Sequence, residues 1–273
     1  MIKKLRKSWQ LLTAAISYCL FGIGAVIVGV LFRILELIPG IARQRKQRWI
    51  RSVIHCGCLT FIRLLKFFGL IQYQFKLSFN RPHNNGRVVV ANHPSLIDVV
   101  LLFAAHKNVT CIVKGSLWKN IFTGAVVRLA GFIPNDSERA LTLAVEKLNR
   151  GEDVLIFPEG TRRDNDEPIR FKRGAANIAV NAGVDILPIL IKCYPSALKK
   201  DDKWYNIPDG GPTFTLVSGE LIRLDACIDG NAPRTLQYRQ LTRFLESYYE
   251  RWLKPLPGEL QTDDIAQQSE IQK

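Results

Sequence analysis

Between Leu11 and Phe32 the chain carries 22 residues without a charged side chain. As a helix that run is about 33 Å long, enough to cross the roughly 30 Å hydrocarbon core of a bilayer. Lys3, Lys4, Arg6 and Lys7 precede it. The apolar run is too long for the core of a typical secretory signal and no small-x-small cleavage site stands out, so a retained membrane helix is expected. Arg33, Arg43, Arg45, Lys46, Arg48 and Arg51 follow the run. The larger basic excess on that side places the bulk of the chain on the cytoplasmic face, the inner membrane in a bacterium. A re-entrant helical hairpin with both ends cytoplasmic accounts for the same flanks, and charge alone leaves both arrangements open.

Ser52 to Ile71 is a second apolar segment, interrupted by His55, Arg63 and Lys66. With Arg51 these polar residues fall on one side of a helical wheel, the pattern of an amphipathic helix at a membrane surface. A core-facing helix has the same periodicity. Residues 1–71 are thus expected to form a membrane-anchoring module.

From Tyr73 the pattern changes. Tyr73–Phe79, Arg87–Ala91, Thr110–Val113, Val154–Phe157, Ile186–Ile191 and Thr213–Val217 are predicted strands. Helices are predicted over Leu96–Ala105, Trp118–Leu129, Glu138–Asn149, Lys172–Asn181 and Leu236–Trp252. Strands alternating with helices give an α/β class, a mostly parallel sheet flanked by helices, over residues 72–254. Residues 255–273 are a polar tail expected to be disordered. The net charge of +14 implies an anionic partner without choosing one. No zinc-finger spacing or aromatic RNA-binding motif supports nucleic acid. The six cysteines have no metal-ligand spacing and fit free thiols.

Two polar motifs follow predicted strands, where ligands of open α/β sheets gather. "NHPSLID" runs from Asn92 to Asp98, and "FPEGTR" from Phe157 to Arg162. His93 reads either as a solvated loop histidine or as a general base oriented by Asp98. Gly160 permits close backbone approach, Thr161 offers a hydroxyl, and Arg162 and Arg163 offer anion recognition. Glu159 suits either a substrate hydroxyl or the orientation of a base. A solvated turn explains the second motif taken alone. No G-x-S-x-G elbow is present, which argues against an α/β-hydrolase.

In order and spacing, Asn92-His93-x4-Asp98, the Lys114–Ile133 block, Phe157–Arg162 and Ile186-Leu187-Pro188-Ile189 resemble the glycerolipid acyltransferase family, which contains the lysophosphatidic acid acyltransferases. The combination of "KGSLWKN", "GFIPND" and "FPEGTR" also resembles a bacterial subgroup associated with aryl-polyene pathways. The resemblance implies an O-acyltransferase that moves an acyl chain from a thioester, on acyl carrier protein or CoA, to a lysophospholipid hydroxyl. A non-phosphorylated or specialised lipid acceptor is the alternative, and a non-enzymatic basic membrane scaffold the distant one. His93 and Asp98 would be catalytic. Glu159, Gly160, Thr161 and Arg162 would bind substrate, with Arg162 toward a phosphate. Lys114 is either a stabiliser of negative charge or a surface lysine. Neither metal nor resident cofactor is implied; the partners are membrane lipids and the thioester donor. One departure stands out: Asn135 occupies the position of an arginine that the family assigns to the acceptor phosphate, and neither Arg128 nor Arg139 matches it.

Overall fold

The computed structural model describes residues 2–36, 40–79, 86–120, 123–162, 168–199, 202–203, 205–208 and 210–253. The expectations for Arg163 and the tail 255–273 lie outside them. The helices are α1 (Ile2–Glu36), α2 (Arg43–Phe67), α3 (Asp98–Ala105), α4 (Gly115–Lys119), α5 (Gly124–Leu129), α6 (Ala140–Asn149), α7 (Gly174–Ala182) and α8 (Arg234–Leu253). The strands are β1 (Gln72–Lys76), β2 (Val88–Ala91), β3 (Val109–Val113), β4 (Ile133–Pro134), β5 (Asp153–Ile156), β6 (Ile186–Tyr194) and β7 (Thr213–Ser218).

These strands form one sheet in the order β1-β7-β6-β2-β5-β3-β4. β2, β3, β4, β5 and β6 run parallel, while β7 pairs antiparallel with β6 and parallel with β1. The central strands are buried on both faces, which is why they read as continuous Val, Ile and Leu runs. Their alternate residues enter two separate cores. Val89, Ala91, Leu155, Leu187 and Ile189 face a core shared with α2 and α3. Val88, Val90, Val154, Ile156 and Ile186 face one shared with α6, α7 and α8. The protein is therefore a three-layer α/β/α sandwich, with α8 tied down by Tyr249, whose buried hydroxyl donates to the carbonyls of Val90 and Ile189.

α1 is the one helix among the described residues long and apolar enough to cross a membrane. Leu20, Ile23, Ile27, Val30, Leu31 and Ile34 are exposed along it. Its inner face, with buried Ala14 and Ser17, packs on α2, where Phe21 stacks on Phe61 at 4.4 Å. Thr13 and Ser17 satisfy their hydroxyls on the carbonyls of Trp9 and Thr13.

α2 departs from the expected polar arc at Arg51, which is buried. Its guanidinium donates to the Ala130 carbonyl at 2.9 Å and to Glu152 at 2.5 Å. Lys147 joins the same carboxylate at 3.3 Å and donates to Gln47 of α2 at 2.7 Å. Ile50, Cys58, Phe61, Ile62 and Leu65 carry the apolar side of α2 into the sheet's core. α2 thus joins α1 to the α/β layers by both packing and charge.

The single helix expected over Trp118–Leu129 is two helices, α4 and α5. Asn120 breaks it: its carbonyl accepts from Gly124 N–H, and its side chain accepts from Thr123 N–H.

Candidate active site

β2, β5 and β6 are parallel, so the loops after them open on one rim of the sheet. "NHPSLID" follows β2 and "FPEGTR" follows β5, which brings His93 to Glu159 across 66 positions of sequence. Glu159 Oε1 accepts the backbone N–H of His93 at 3.2 Å.

Within the first loop, a local cap builds the pair. Asp98 is the first residue of α3 and fully buried. Its carboxylate reaches back three positions, accepting from Ser95 N–H at 2.6 Å and Ser95 Oγ at 2.6 Å. These two bonds close the loop just ahead of the helix and fix the carboxylate. The same Oδ2 lies 2.9 Å from His93 Nδ1. A carboxylate can only accept, so Nδ1 donates and the lone pair sits on Nε2. The imidazole is 21% exposed, open enough to meet a ligand. Phe157 lies beside it, ring centroids 4.5 Å apart, and covers one face.

Asn92 holds the base of this loop. Its Nδ2 donates to the Ile191 carbonyl and its Oδ1 accepts from Ile191 N–H, both at 2.8 Å. The side chain thereby continues the β2–β6 pairing one step past Ala91. A buried asparagine with both ends satisfied is rigid, so His93 starts from a fixed backbone.

Gly160 turns with φ +73°, a conformation that glycine adopts freely. Thr161 is exposed. Arg162 Nη1 donates to the carbonyls of Leu198 at 3.2 Å and Lys199 at 2.6 Å. Those bonds tie "FPEGTR" to the loop after β6, an engagement that the phosphate-facing role implied for Arg162 did not anticipate. Lys114 is exposed at the end of β3, on the same rim. Asn135, after β4, accepts from Gly115 N–H at 3.1 Å. Arg128 is occupied by the Trp118 carbonyl at 2.5 Å and Arg139 is exposed.

Sequence reasoning missed Ser95, Asn92 and Phe157 as builders of the site. The Ser95-x-x-Asp98 spacing ahead of an apolar run was the available signal for the first. Nothing in sequence predicts the cross-strand role of Asn92. Cys193 on β6 feels the Asp98 charge, but burial above all pushes its thiol up to about 12. It stays protonated at neutral pH, in the manner of a structural rather than a reactive cysteine. Among the described residues no group of His, Cys, Asp and Glu could hold a metal ion.

An oriented imidazole with an open Nε2 at a sheet rim can take a proton from a hydroxyl. An acyltransferase family model matches residues 73–192. The 1-acyl-sn-glycerol-3-phosphate acyltransferase of Pseudomonas aeruginosa is 30% identical over 188 residues, 66% of this chain and 70% of that protein. The beta form from Homo sapiens is 28% identical over 153 residues, 53% of this chain and 55% of that protein. Against the human beta and mouse alpha enzymes the chain spans little more than half of their length. The crystal structure of PlsC, the 1-acyl-sn-glycerophosphate acyltransferase of Thermotoga maritima, shares the fold. Its TM-score is 0.69 at 23% identity, covering 93% of this chain and all of that one. The chain belongs to the glycerolipid acyltransferase family in which these 1-acylglycerol-3-phosphate acyltransferases stand.

Proposed function

We propose that the protein is a membrane-bound O-acyltransferase that moves an acyl chain from a thioester to the free hydroxyl of a lysophospholipid such as 1-acylglycerol-3-phosphate. The observation that carries this reading is the 2.9 Å contact between His93 Nδ1 and a buried Asp98, which leaves Nε2 as the base.

In the reaction, Nε2 takes the acceptor's hydroxyl proton as that oxygen attacks the thioester carbonyl. The new C–O bond forms and the tetrahedral intermediate collapses with loss of the C–S bond. The departing thiolate takes the proton back from the imidazolium, so His93 ends as it began. Asp98 stabilises the imidazolium and fixes the ring. The substrate brings its own nucleophile, so no acyl-enzyme residue is required. Glu159 and Gly160 shape the acceptor end, and Lys114 lies on the same rim to meet negative charge. The donor is acyl-CoA or acyl carrier protein; the positive charge suits either acidic partner. α1 anchors the chain so that the rim meets lipid, on the cytoplasmic face.

A second acceptor class has one observation in its favour. The position after β4 holds uncharged Asn135, followed by the carboxylate of Asp136, which suits a neutral hydroxyl lipid better than a phosphate. The test is product formation by the detergent-solubilised protein, with acyl-CoA and acyl carrier protein crossed against lysophosphatidic acid and monoacylglycerol. Transfer to lysophosphatidic acid supports the main reading. Transfer to monoacylglycerol alone supports the second, and no transfer to either overturns both.

A further inference from the structure

α8 carries neither motif, yet its last turns hold the loops that carry both. Leu241, Leu245 and Tyr249 recur every four residues as its buried stripe, at 0%, 1% and 0% exposure. The first two positions need only apolar volume. The third holds a phenol, where a phenylalanine would fill the same core with no hydroxyl to satisfy. That hydroxyl donates to the Val90 carbonyl at 2.8 Å and to the Ile189 carbonyl at 3.2 Å. Both carbonyls lie in the paired stretch of β2 and β6, so one hydroxyl bridges the two strands where β2 ends. Two positions after Val90, Asn92 bridges the same strands through Ile191, and His93 follows. β2 is thus fastened to β6 twice just ahead of the base.

The same part of α8 holds the second motif. Glu246 lies one turn before Tyr249 and accepts the N–H of Phe171 at 2.8 Å. The Phe171 ring meets Tyr249 edge-on, centroids 5.2 Å apart. Lys172 then donates its backbone N–H to the Pro158 carbonyl at 2.8 Å, which closes the loop that begins with "FPEGTR". Glu159, next to that proline, accepts the His93 N–H. Tyr248 occupies the space that a side chain at Gly219 would fill, so α8 lies tight against the sheet. Burial above all, with the charge of Glu159 adding, holds the Tyr249 phenol well above its ordinary pKa, so it remains a donor.

We propose that Tyr249 is a positioning residue for His93: its hydroxyl fixes the end of β2 against β6, and with it the place of the imidazole relative to Glu159. The proposal rests on the acyltransferase reading above and adds a residue outside both motifs. The hydroxyl touches no substrate and acts through the backbone of β2. A small displacement of the base costs rate more than binding, because proton transfer depends on alignment.

The test compares Tyr249→Phe, para-aminophenylalanine at position 249 and a control on the same helix, Tyr238→Phe, in the full detergent-solubilised chain. The Tyr238 hydroxyl accepts from Asn181 at 2.9 Å near the other end of α8. Kinetics use acyl-CoA with lysophosphatidic acid. Hydrogen exchange is read by mass spectrometry over Ala91–Asp98, with Thr213–Ser218 of β7 as the reference. Tyr249→Phe is expected to lower kcat about 10-fold, with KM for both substrates within about twofold. Exchange over Ala91–Asp98 speeds up about 10-fold while β7 is unchanged. The melting temperature falls by no more than about 5 °C, so the variant is folded in the assay. The para-amino group returns a donor and restores most of both losses, and Tyr238→Phe changes neither quantity. The proposal is overturned by wild-type kcat in Tyr249→Phe, whatever its melting temperature, or by a loss that falls on KM alone. Faster exchange shared equally by β7, or no recovery with the para-amino side chain, also overturns it. If wild-type protein turns over neither acceptor, the function proposed above fails, while the exchange arm still decides whether Tyr249 fixes the His93 loop.

Discussion

At the residue scale the site depends on a carboxylate with three donors. Two come from Ser95 and one from His93, so Asp98 can orient the ring only because Ser95 fixes the carboxylate first. Asp98→Asn replaces an acceptor with an amide whose NH2 would favour the other tautomer, protonated on Nε2. We expect kcat to fall by roughly 10²- to 10⁴-fold with little change in KM; steady-state kinetics on a variant with a wild-type circular dichroism spectrum checks this. Ser95→Ala removes one of the three bonds and keeps the backbone one, so a smaller loss, about 10-fold in kcat, is expected by the same assay. A larger loss for Ser95→Ala than for Asp98→Asn would mean that Ser95 acts on substrate directly.

At the scale of elements, charge pairs fasten the edge opposite the site. Glu152 immediately precedes β5 and Asp153 begins it, where parallel strands start, and each gathers donors from distant segments. Burial alone would raise Glu152, yet Arg51 and Lys147 hold its carboxyl below the usual range. Glu152→Gln leaves two buried cations facing each other. The expected cost is about 3 kcal/mol or more, a drop of roughly 10 °C in melting temperature. Asp153 accepts from Arg87 and His106, each at 3.0 Å. Burial works to raise this carboxyl, but the His106 and Arg87 hydrogen bonds and the Arg87 charge outweigh it and hold it far below the ordinary value of 3.8. A depressed native carboxylate stabilises the fold fully above the unfolded value and loses that contribution as pH falls toward the native one. The melting-temperature gap between wild type and Asp153→Asn should therefore shrink as pH falls below about 4. A gap that widens below that pH would reverse the sign of this linkage.

The same elements mark the limits of what the chain reveals unaided. The buried central strands were legible because both faces demand apolar residues, and β4 was not, because two residues cannot show a period. The α4–α5 break was hidden by an apolar pattern that runs through Asn120. Arg51 grouped with surface charges because its partner lies 101 positions away. His93 and Asp98 were legible because five positions of sequence span their contact.

At the scale of the whole molecule, α1 exposes an apolar surface while α2 is sunk into the sheet's core. α2 packs on both, so α1 and the α/β layers are joined through one helix. With so much of α1 uncovered, the full chain should stay in the membrane fraction through alkaline carbonate and leave it only with detergent. Appearance in the carbonate supernatant would count against a membrane role for α1. The net charge of +14 favours an anionic partner without choosing one.

The central claim is that His93 is the base that moves the hydroxyl proton. The most direct measurement is the rate of lysophosphatidic-acid-dependent thiol release from acyl-CoA, wild type against His93→Ala, both matched in melting temperature. The account predicts release by wild type and a loss of at least about 10²-fold in the variant. A folded His93→Ala protein that releases thiol at the wild-type rate would contradict it.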